Sequence, residues 1–298
     1  MRILLLGKNG QVGWELQRTF APLGQVIALG RKELDFLDRL AIRRTVKSIN
    51  PDLIINAAAY TAVDKAEEEA ELALAVNGTA PGILAEEAAL CRAALIHYST
   101  DYVFDGTKAT PYTEDDEPNP INIYGQTKLE GERLIQETEV PHLIFRIGWV
   151  YGLRGRNFLL TILQLARERE MLSVVNDQFG SPTWSRMIAE AAALVLSRGL
   201  KDIRAYIESS QGLYNLSAAG HTSWHGFTGN ILHLAAGNAI TCRQIKAIPT
   251  SEYKTTARRP LFSVLDNNKF NQQFGFKLPD WKSSLVLLFS DHHKQAQK

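Results

Sequence analysis

The N-terminus limits the architecture most. A short apolar run, Ile3–Leu6, ends on Gly7, and glycine recurs at Gly10 and Gly13 before a helical pattern starts at Trp14-Glu15-Leu16-Gln17. Strand, glycine turn and helix in that order open a nucleotide-binding βαβ unit. Glycine lets the backbone approach a pyrophosphate, and the helix N-terminus offers it unpaired N–H groups and a positive partial charge. The spacing is GxxGxxG rather than GxGxxG.

The alternation continues down the chain. Strands are predicted at Gln25–Leu29, Asp52–Asn56, Ala94–Tyr98 and His142–Arg146. Helices are predicted over Leu37–Asn50, stopped by Pro51, then Val63–Glu69, Ala80–Cys91 and from Tyr124 through Ile135. This implies an α/β chain with a Rossmann-like doubly wound parallel sheet over residues 1–150. Beyond it the regular order lapses. A helix at Leu160–Arg169, a strand at Leu172–Val175, a helix at Met187–Ser197, a strand at Leu213–Leu216 and a helix at Trp224–Ala236 predict a smaller α/β substrate-binding region over 151–298, with segments of about 171–200 returning to the first sheet. The tail from His292 to Lys298 carries no pattern.

Charge and cysteine content exclude several classes. Lys plus Arg is 33 against 32 for Asp plus Glu in 298 residues, so no basic field argues for nucleic acid or an anionic membrane as partner. The N-terminal apolar run is too short for a signal-peptide core, and no stretch approaches the ~20 apolar residues of a membrane span, so the expected location is cytoplasmic. Cys91 and Cys242 lie far apart and in no metal-ligand spacing. They are expected to be free, buried thiols, with no metal site of their own.

Candidate chemistry gathers in the first half. Tyr124 and Lys128, four residues apart, share one helix face. A free phenol ionises near pH ~10. An adjacent ammonium is expected to lower that value toward the working range and make the pair a tuned acid/base. Ser99-Thr100-Asp101 closes the fourth strand, and ligands of open α/β sheets bind beyond the carboxyl ends of strands. After the second strand, where enzymes selecting NAD keep an acid for the ribose, stands Gly30-Arg31-Lys32. This favours the 2′-phosphate of NADPH, held by the planar fork of Arg31, the alternative being two solvated turn residues. Asp35-Phe36 is placed to flank an adenine, and the small side chains of Ala57-Ala58-Ala59 leave room for a cofactor or serve helix packing. A patternless loop over 105–123 is long enough to cover a site. Arg258-Arg259, in the loop Pro249–Pro260, either clamps a substrate diphosphate or faces solvent.

Together, Gly7/Gly10/Gly13, Thr100 and Tyr124-Gly125-Gln126-Thr127-Lys128 resemble the extended short-chain dehydrogenase/reductase family. Asn56-Ala57-Ala58-Ala59-Tyr60-Thr61-Ala62-Val63-Asp64, Ser99-Thr100-Asp101-Tyr102-Val103-Phe104 and Arg146-Ile147-Gly148-Trp149-Val150-Tyr151-Gly152 are similar, within it, to the dTDP-4-dehydrorhamnose reductases. The similarity is strong to about residue 183 and weaker to Arg259-Pro260.

The resemblance implies reduction of the C4 ketone of dTDP-4-dehydro-L-rhamnose by NADPH, or by NADH, giving dTDP-L-rhamnose. It implies Tyr124 as proton donor, Thr100 as an added hydrogen bond to the same oxygen, and Lys128 holding the nicotinamide ribose while depressing the Tyr124 pKa. It further implies Gly7, Gly10, Gln11, Val12 and Gly13 along the cofactor phosphates, Asp35 and Phe36 at the adenosine end, Ala59, Tyr60 and Thr61 along its middle, and Thr100, Asp101, Tyr124 and Trp149 against the nucleotide sugar.

Some members hold magnesium between two protomers with carboxylates, one of them just after a Pro-Thr pair. Here Pro182-Thr183-Trp184-Ser185-Arg186 puts a cation there. That speaks against a metal-bridged dimer despite Glu15, and leaves magnesium, and monomer or homodimer, open. Related 4,6-dehydratases follow the threonine with Asp-Glu, whereas Tyr102 offers no carboxylate base. A non-catalytic NADP-binding regulatory subunit is the third reading, from which retention of Thr100, Tyr124 and Lys128 points away.

Overall fold

Arg2–Leu6 forms strand β1, with Ile3 through Leu6 all buried. Because alternate side chains point to opposite faces, Ile3 and Leu5 enter one apolar layer and Leu4 and Leu6 the other, so this strand must lie inside a sheet covered on both sides. The computed structural model describes residues 1–235 and 240–296, with side chains as far as 290. Ala236, expected to end a helix, and the side chains of the tail from His292 lie outside the described residues.

β1 pairs in parallel with β2 (Gln25–Leu29) on one side and β3 (Leu53–Asn56) on the other; β4 (Ala94–Thr100), β5 (His142–Ile147) and the strand Gly212–Asn215 continue outward. The strand order is thus Gly212–Asn215, β5, β4, β3, β1, β2, and the direction of winding reverses between β1 and β3. That reversal opens a crevice at the carboxyl edge. Helix α1 (Gln11–Thr19), the helix Ser185–Ser197 and the helix Asn268–Phe274 cover the face bearing Ile3 and Leu5. Helix α2 (Arg39–Ile49) and the helix Ala80–Leu90 cover the other.

Several boundaries have local causes. α2 begins at Arg39 because the Asp38 carboxylate accepts the Ala41 N–H at 2.8 Å, and it ends at Ile49 because Asn50 turns left-handed at φ 46°. The stretch expected as two separated helices after β3 is more continuous: Val63–Ala66, Ala70–Leu74, a π turn Ala75–Thr79 and Ala80–Leu90.

The segment 171–200, expected to return to the first sheet, divides. The helix Ser185–Ser197 does pack on α1, but the strand Met171–Val175 pairs with Gln244–Ile248 in a separate two-stranded ladder. The sixth place in the main sheet goes to Gly212–Asn215 instead. A third apolar cluster, from Tyr151 and Leu159 to Trp281 and Leu288, builds the C-terminal region around that ladder. Both cysteines are free but only half-covered, not buried. Among the described residues no helix is long and apolar enough to cross a membrane.

Candidate active site

The glycine spacing has a steric reason. Gly7 has φ +86°, and a Cβ on it would stand 2.6 Å from the Ala57 carbonyl carbon, so β1 and β3 touch backbone to backbone across the crevice. A Cβ on Gly13 would stand 2.1 Å from Gly7 O, so the first turn of α1 lies directly on the glycine turn. Gly10 caps α1 without a side-chain hydrogen bond, and the first turn holds no acidic residue. The N–H groups of Gln11, Val12 and Gly13 therefore start a helix whose positive end is left for an anion. The Gln11 side chain is engaged elsewhere, accepting from Asn157 Nδ2 at 2.9 Å.

From that turn a cleft runs between β1, β2 and β3, lined by Gly7, Arg31, Asp35, Phe36, Ala59 and Tyr60 among others. Asp35 is tied to its own turn, accepting the Leu37 N–H at 3.1 Å. One acid near the β2 end was not foreseen: Glu33 accepts from Gly30 N at 2.9 Å and pairs with Lys8 Nζ at 2.7 Å. Its charge is paired there, and Arg31 stands exposed in the cleft lining. Tyr60 is pinned from both sides by Asn77, which accepts its N–H at 2.8 Å and donates to its carbonyl oxygen at 3.1 Å, while its hydroxyl donates to Glu69 at 2.6 Å. Thr61 is exposed.

The helix Ile123–Gln136 carries Tyr124 and Lys128. Its N-terminus is held by Asn122 Oδ1, which accepts the Gly125 N–H at 2.8 Å, and by Glu67 Oε1, which accepts the Ile123 N–H at 2.9 Å. A Cβ on Gly125 would stand 2.1 Å from Tyr102 O, so this helix lies against the turn that follows Thr100. Farther along, Glu132 and Arg146 on β5 form a buried bidentate pair at 3.0 and 2.7 Å. Removing either partner would strand a buried charge at a cost of about 3–5 kcal/mol.

Thr100 donates to Asp101 Oδ1 at 3.1 Å and accepts the Tyr102 N–H at 3.1 Å. Tyr124 sits beside Thr100, its ring edge-on to Tyr102 at 6.0 Å between centroids. The expected acidification of this phenol is not what the structure has. Burial pushes Tyr124 up to about 12, with the Thr100 hydroxyl opposing. Lys128 is turned from the phenol: its Nζ donates to the Tyr98 carbonyl at 2.6 Å and lies 3.1 Å from His97 Nε2. Burial in turn lowers the lysine to about 8, against the charge of Glu132.

Just after β5 comes an aromatic stack. Trp149, itself at φ 48°, stacks face to face on Trp224 at 3.4 Å and 4°, and Phe158 lies 4.4 Å from Trp224. The Asp101 carboxylate is buried and accepts from Ser263 at 2.5 Å. Burial pushes it up to about 6, with the Ser263 and Thr100 hydrogen bonds opposing. Arg258 faces solvent, while Arg259 turns inward, pairs with Asp64 at 2.7 Å and lies beside Tyr102.

The loop before the helix Ile123–Gln136 is stapled to C-terminal residues: Tyr112 bridges Leu265, and Asn122 Nδ2 donates to Arg258 O at 2.8 Å. Arg186 pairs with Glu190 at 2.8 Å and its charge acts on Glu15. Among the described residues no three His, Cys, Asp or Glu side chains gather as metal ligands.

The RmlD substrate binding domain profile matches residues 1–293. The chain belongs to that family. It is 47% identical to a dTDP-4-dehydrorhamnose reductase of Burkholderia thailandensis over 98% of this chain and 99% of the other. The solved structure of a dTDP-4-dehydrorhamnose reductase of Clostridium acetobutylicum superposes with a TM-score of 0.89 at 34% identity, covering 98% of this chain and 100% of the other. That of a Bacillus anthracis dTDP-4-dehydrorhamnose reductase in complex with NADP gives 0.87 at 33% identity, covering 97% and 99%.

Asn77, Glu33, His97, Trp224 and Ser263 escape sequence reasoning. Asn77 left the one available signal, a carboxamide in the otherwise small and apolar run Ala75-Val76-Asn77-Gly78.

Proposed function

We propose that this RmlD-family chain reduces the C4 ketone of dTDP-4-dehydro-L-rhamnose with NADPH to give dTDP-L-rhamnose. The observation that carries this is the contact chain from the glycine turn to the acid: Gly7 against Ala57, Ala58 bonded to Asn56, Asn56 to His97, His97 to Lys128, and Lys128 one turn from Tyr124 beside Thr100. Near-full-length identity to named reductases, one of the solved relatives holding NADP, supports it.

When bound, the reduced nicotinamide supplies hydride to the ketone carbon. The N-terminus of α1 receives the pyrophosphate, Arg31 the 2′-phosphate, and Ala59, Tyr60 and Thr61 follow the chain of the cofactor to Lys128. Tyr124, kept protonated by its burial, donates its proton to the developing alkoxide, and Thr100, turning its hydroxyl hydrogen away from Asp101, hydrogen-bonds the same oxygen. Lys128, whose amine is held one turn away, swings or shares a proton toward the phenolate that forms. Trp149 and Asp101 bound the sugar. Tyr102 is no carboxylate base, and this disfavours dehydration. The enzyme works in the cytoplasm, as monomer or homodimer.

The test is incubation with dTDP-4-dehydrorhamnose and each reduced nicotinamide, following absorbance loss and identifying the sugar formed. Consumption of NADPH with dTDP-rhamnose as product is expected. Intact NADPH binding without turnover would instead fit a regulatory subunit.

A further inference from the structure

Among the described residues the Lys128 amine meets no carboxylate. Its Nζ donates to Tyr98 O at 2.6 Å and lies 3.1 Å from His97 Nε2. The other imidazole nitrogen, Nδ1, is 3.1 Å from Asn56 Nδ2, and Asn56 Oδ1 accepts the Ala58 N–H at 3.2 Å. Asn56 and His97 are 0% exposed and Lys128 1%, so water does not compete for these bonds.

The Ala58 N–H can only donate, which fixes the amide with its oxygen toward the backbone and its nitrogen toward His97. Nδ1 is then an acceptor, and a neutral imidazole accepting at Nδ1 carries its proton on Nε2. That N–H points at the lysine. Facing an ammonium it is a donor against a donor; facing an uncharged amine it is a hydrogen bond into the lone pair. Burial keeps His97 itself neutral, well below its ordinary range.

We propose that His97, fully buried between Asn56 and Lys128, is a positioning residue for the reduction: locked by Asn56 and the Ala58 N–H, it presents Nε2–H to Lys128 and so sets the pH above which that lysine is uncharged and ceases to support Tyr124. This rests on the reductase reading for what Lys128 serves, but not for the tautomer. The other groups around the amine do not set it in the same way. Glu132, one turn on, is committed to Arg146 from β5; Tyr124, one turn back, is protonated; Asp101 acts on Tyr124; β3 offers only the uncharged Asn56.

Two variants reverse the polarity. In Asn56→Asp a carboxylate accepts both the Ala58 N–H and an Nδ1–H, turning Nε2 into an acceptor for the ammonium. In His97→Gln the amide oxygen accepts from the ammonium with no charge added. Both are expected to move the alkaline limb of kcat/KM upward by about one pH unit, a roughly tenfold change in proton affinity. The alkaline limb of NADPH affinity, read by nucleotide fluorescence, should move with it.

A limb that stays in place while only kcat or thermal midpoint falls would overturn the proposal. So would movement in Asn56→Asp alone, which the field of the new carboxylate explains. If no variant or parent turns over the sugar but the binding limb still moves in both, the tautomer assignment stands and the reductase reading fails.

Discussion

The two sides of the proposed site are built differently. The side proposed to hold the nucleotide, the nucleotide wall, is backbone: Gly7 against Ala57, Gly13 against Gly7, and helix N–H groups at the carboxyl edge of a six-stranded parallel sheet. The side proposed to face the sugar, the sugar wall, is side chain: Trp149 on Trp224, Asp101 on Ser263, and Arg259 on Asp64, hung on two-residue ladders such as Val150–Tyr151 with Thr183–Trp184. A backbone wall has no rotamer to yield and suits a cofactor part common to every turnover. A side-chain wall can adjust and suits the part of the ligand that defines the reaction.

Matched glycine substitutions put this contrast at risk most directly. Gly13→Ala drives a Cβ to 2.1 Å from Gly7 O, and no side chain can swing aside. It should cost about 3 kcal/mol of stability and abolish NADPH binding, read as thermal midpoint and fluorescence titration. Gly180→Ala drives a Cβ to 2.2 Å from the Trp149 ring, a side chain rather than backbone. The fold and NADPH affinity should survive while kcat/KM for the sugar nucleotide drops roughly 100-fold. Equal damage to both ligands from Gly180→Ala would erase the distinction.

Tyr124→Phe tests the seam between the walls. Removing a general acid should lower kcat about 10²–10⁴-fold with NADPH affinity little changed, and retained turnover would exclude Tyr124 as donor. Arg31→Ala confines the loss to one wall and one cofactor. One charge-assisted contact is worth about 1.5–3 kcal/mol, so NADPH should weaken at least about tenfold and NADH hardly at all. Equal weakening of both would remove the 2′-phosphate contact.

The difference between the walls also explains what the sequence disclosed. Apolar runs such as Ile3–Leu6 and Leu53–Asn56 are continuous because both faces of the sheet are covered, and the glycine turn is legible because a backbone contact demands a residue type. The YxxxK spacing is legible for the same kind of reason, since helix geometry fixes it. The expected effect of Lys128 on Tyr124 was not legible, because the lysine's partners, His97 and Tyr98, are 31 and 30 residues away. Nor was the ladder Met171–Val175 with Gln244–Ile248, whose partner strand cannot be read from either alone. Trp224 and Ser263 look like any aromatic and any serine until the C-terminal region folds back on residues 101 and 149.

The mildest effect expected concerns pH, and it too should divide the walls. Asp101, raised to about 6 by burial, takes up a proton as pH falls through that value. A protonated carboxyl can no longer accept from both Ser263 and Thr100 in full, so one of the two anchors of the sugar wall loosens. KM for the sugar nucleotide should therefore rise several-fold between about pH 7 and pH 5 in the parent and stay level in Asp101→Asn. Affinity for NADH, which has no 2′-phosphate to titrate, should stay level in both. The sign for stability runs the other way: between the ordinary carboxylate value and about 6 the folded chain binds the extra proton, so the contribution of Asp101 to stability declines as pH rises through that window. A KM that rises on acidification together with NADH affinity loss would place the titrating group on the nucleotide wall instead.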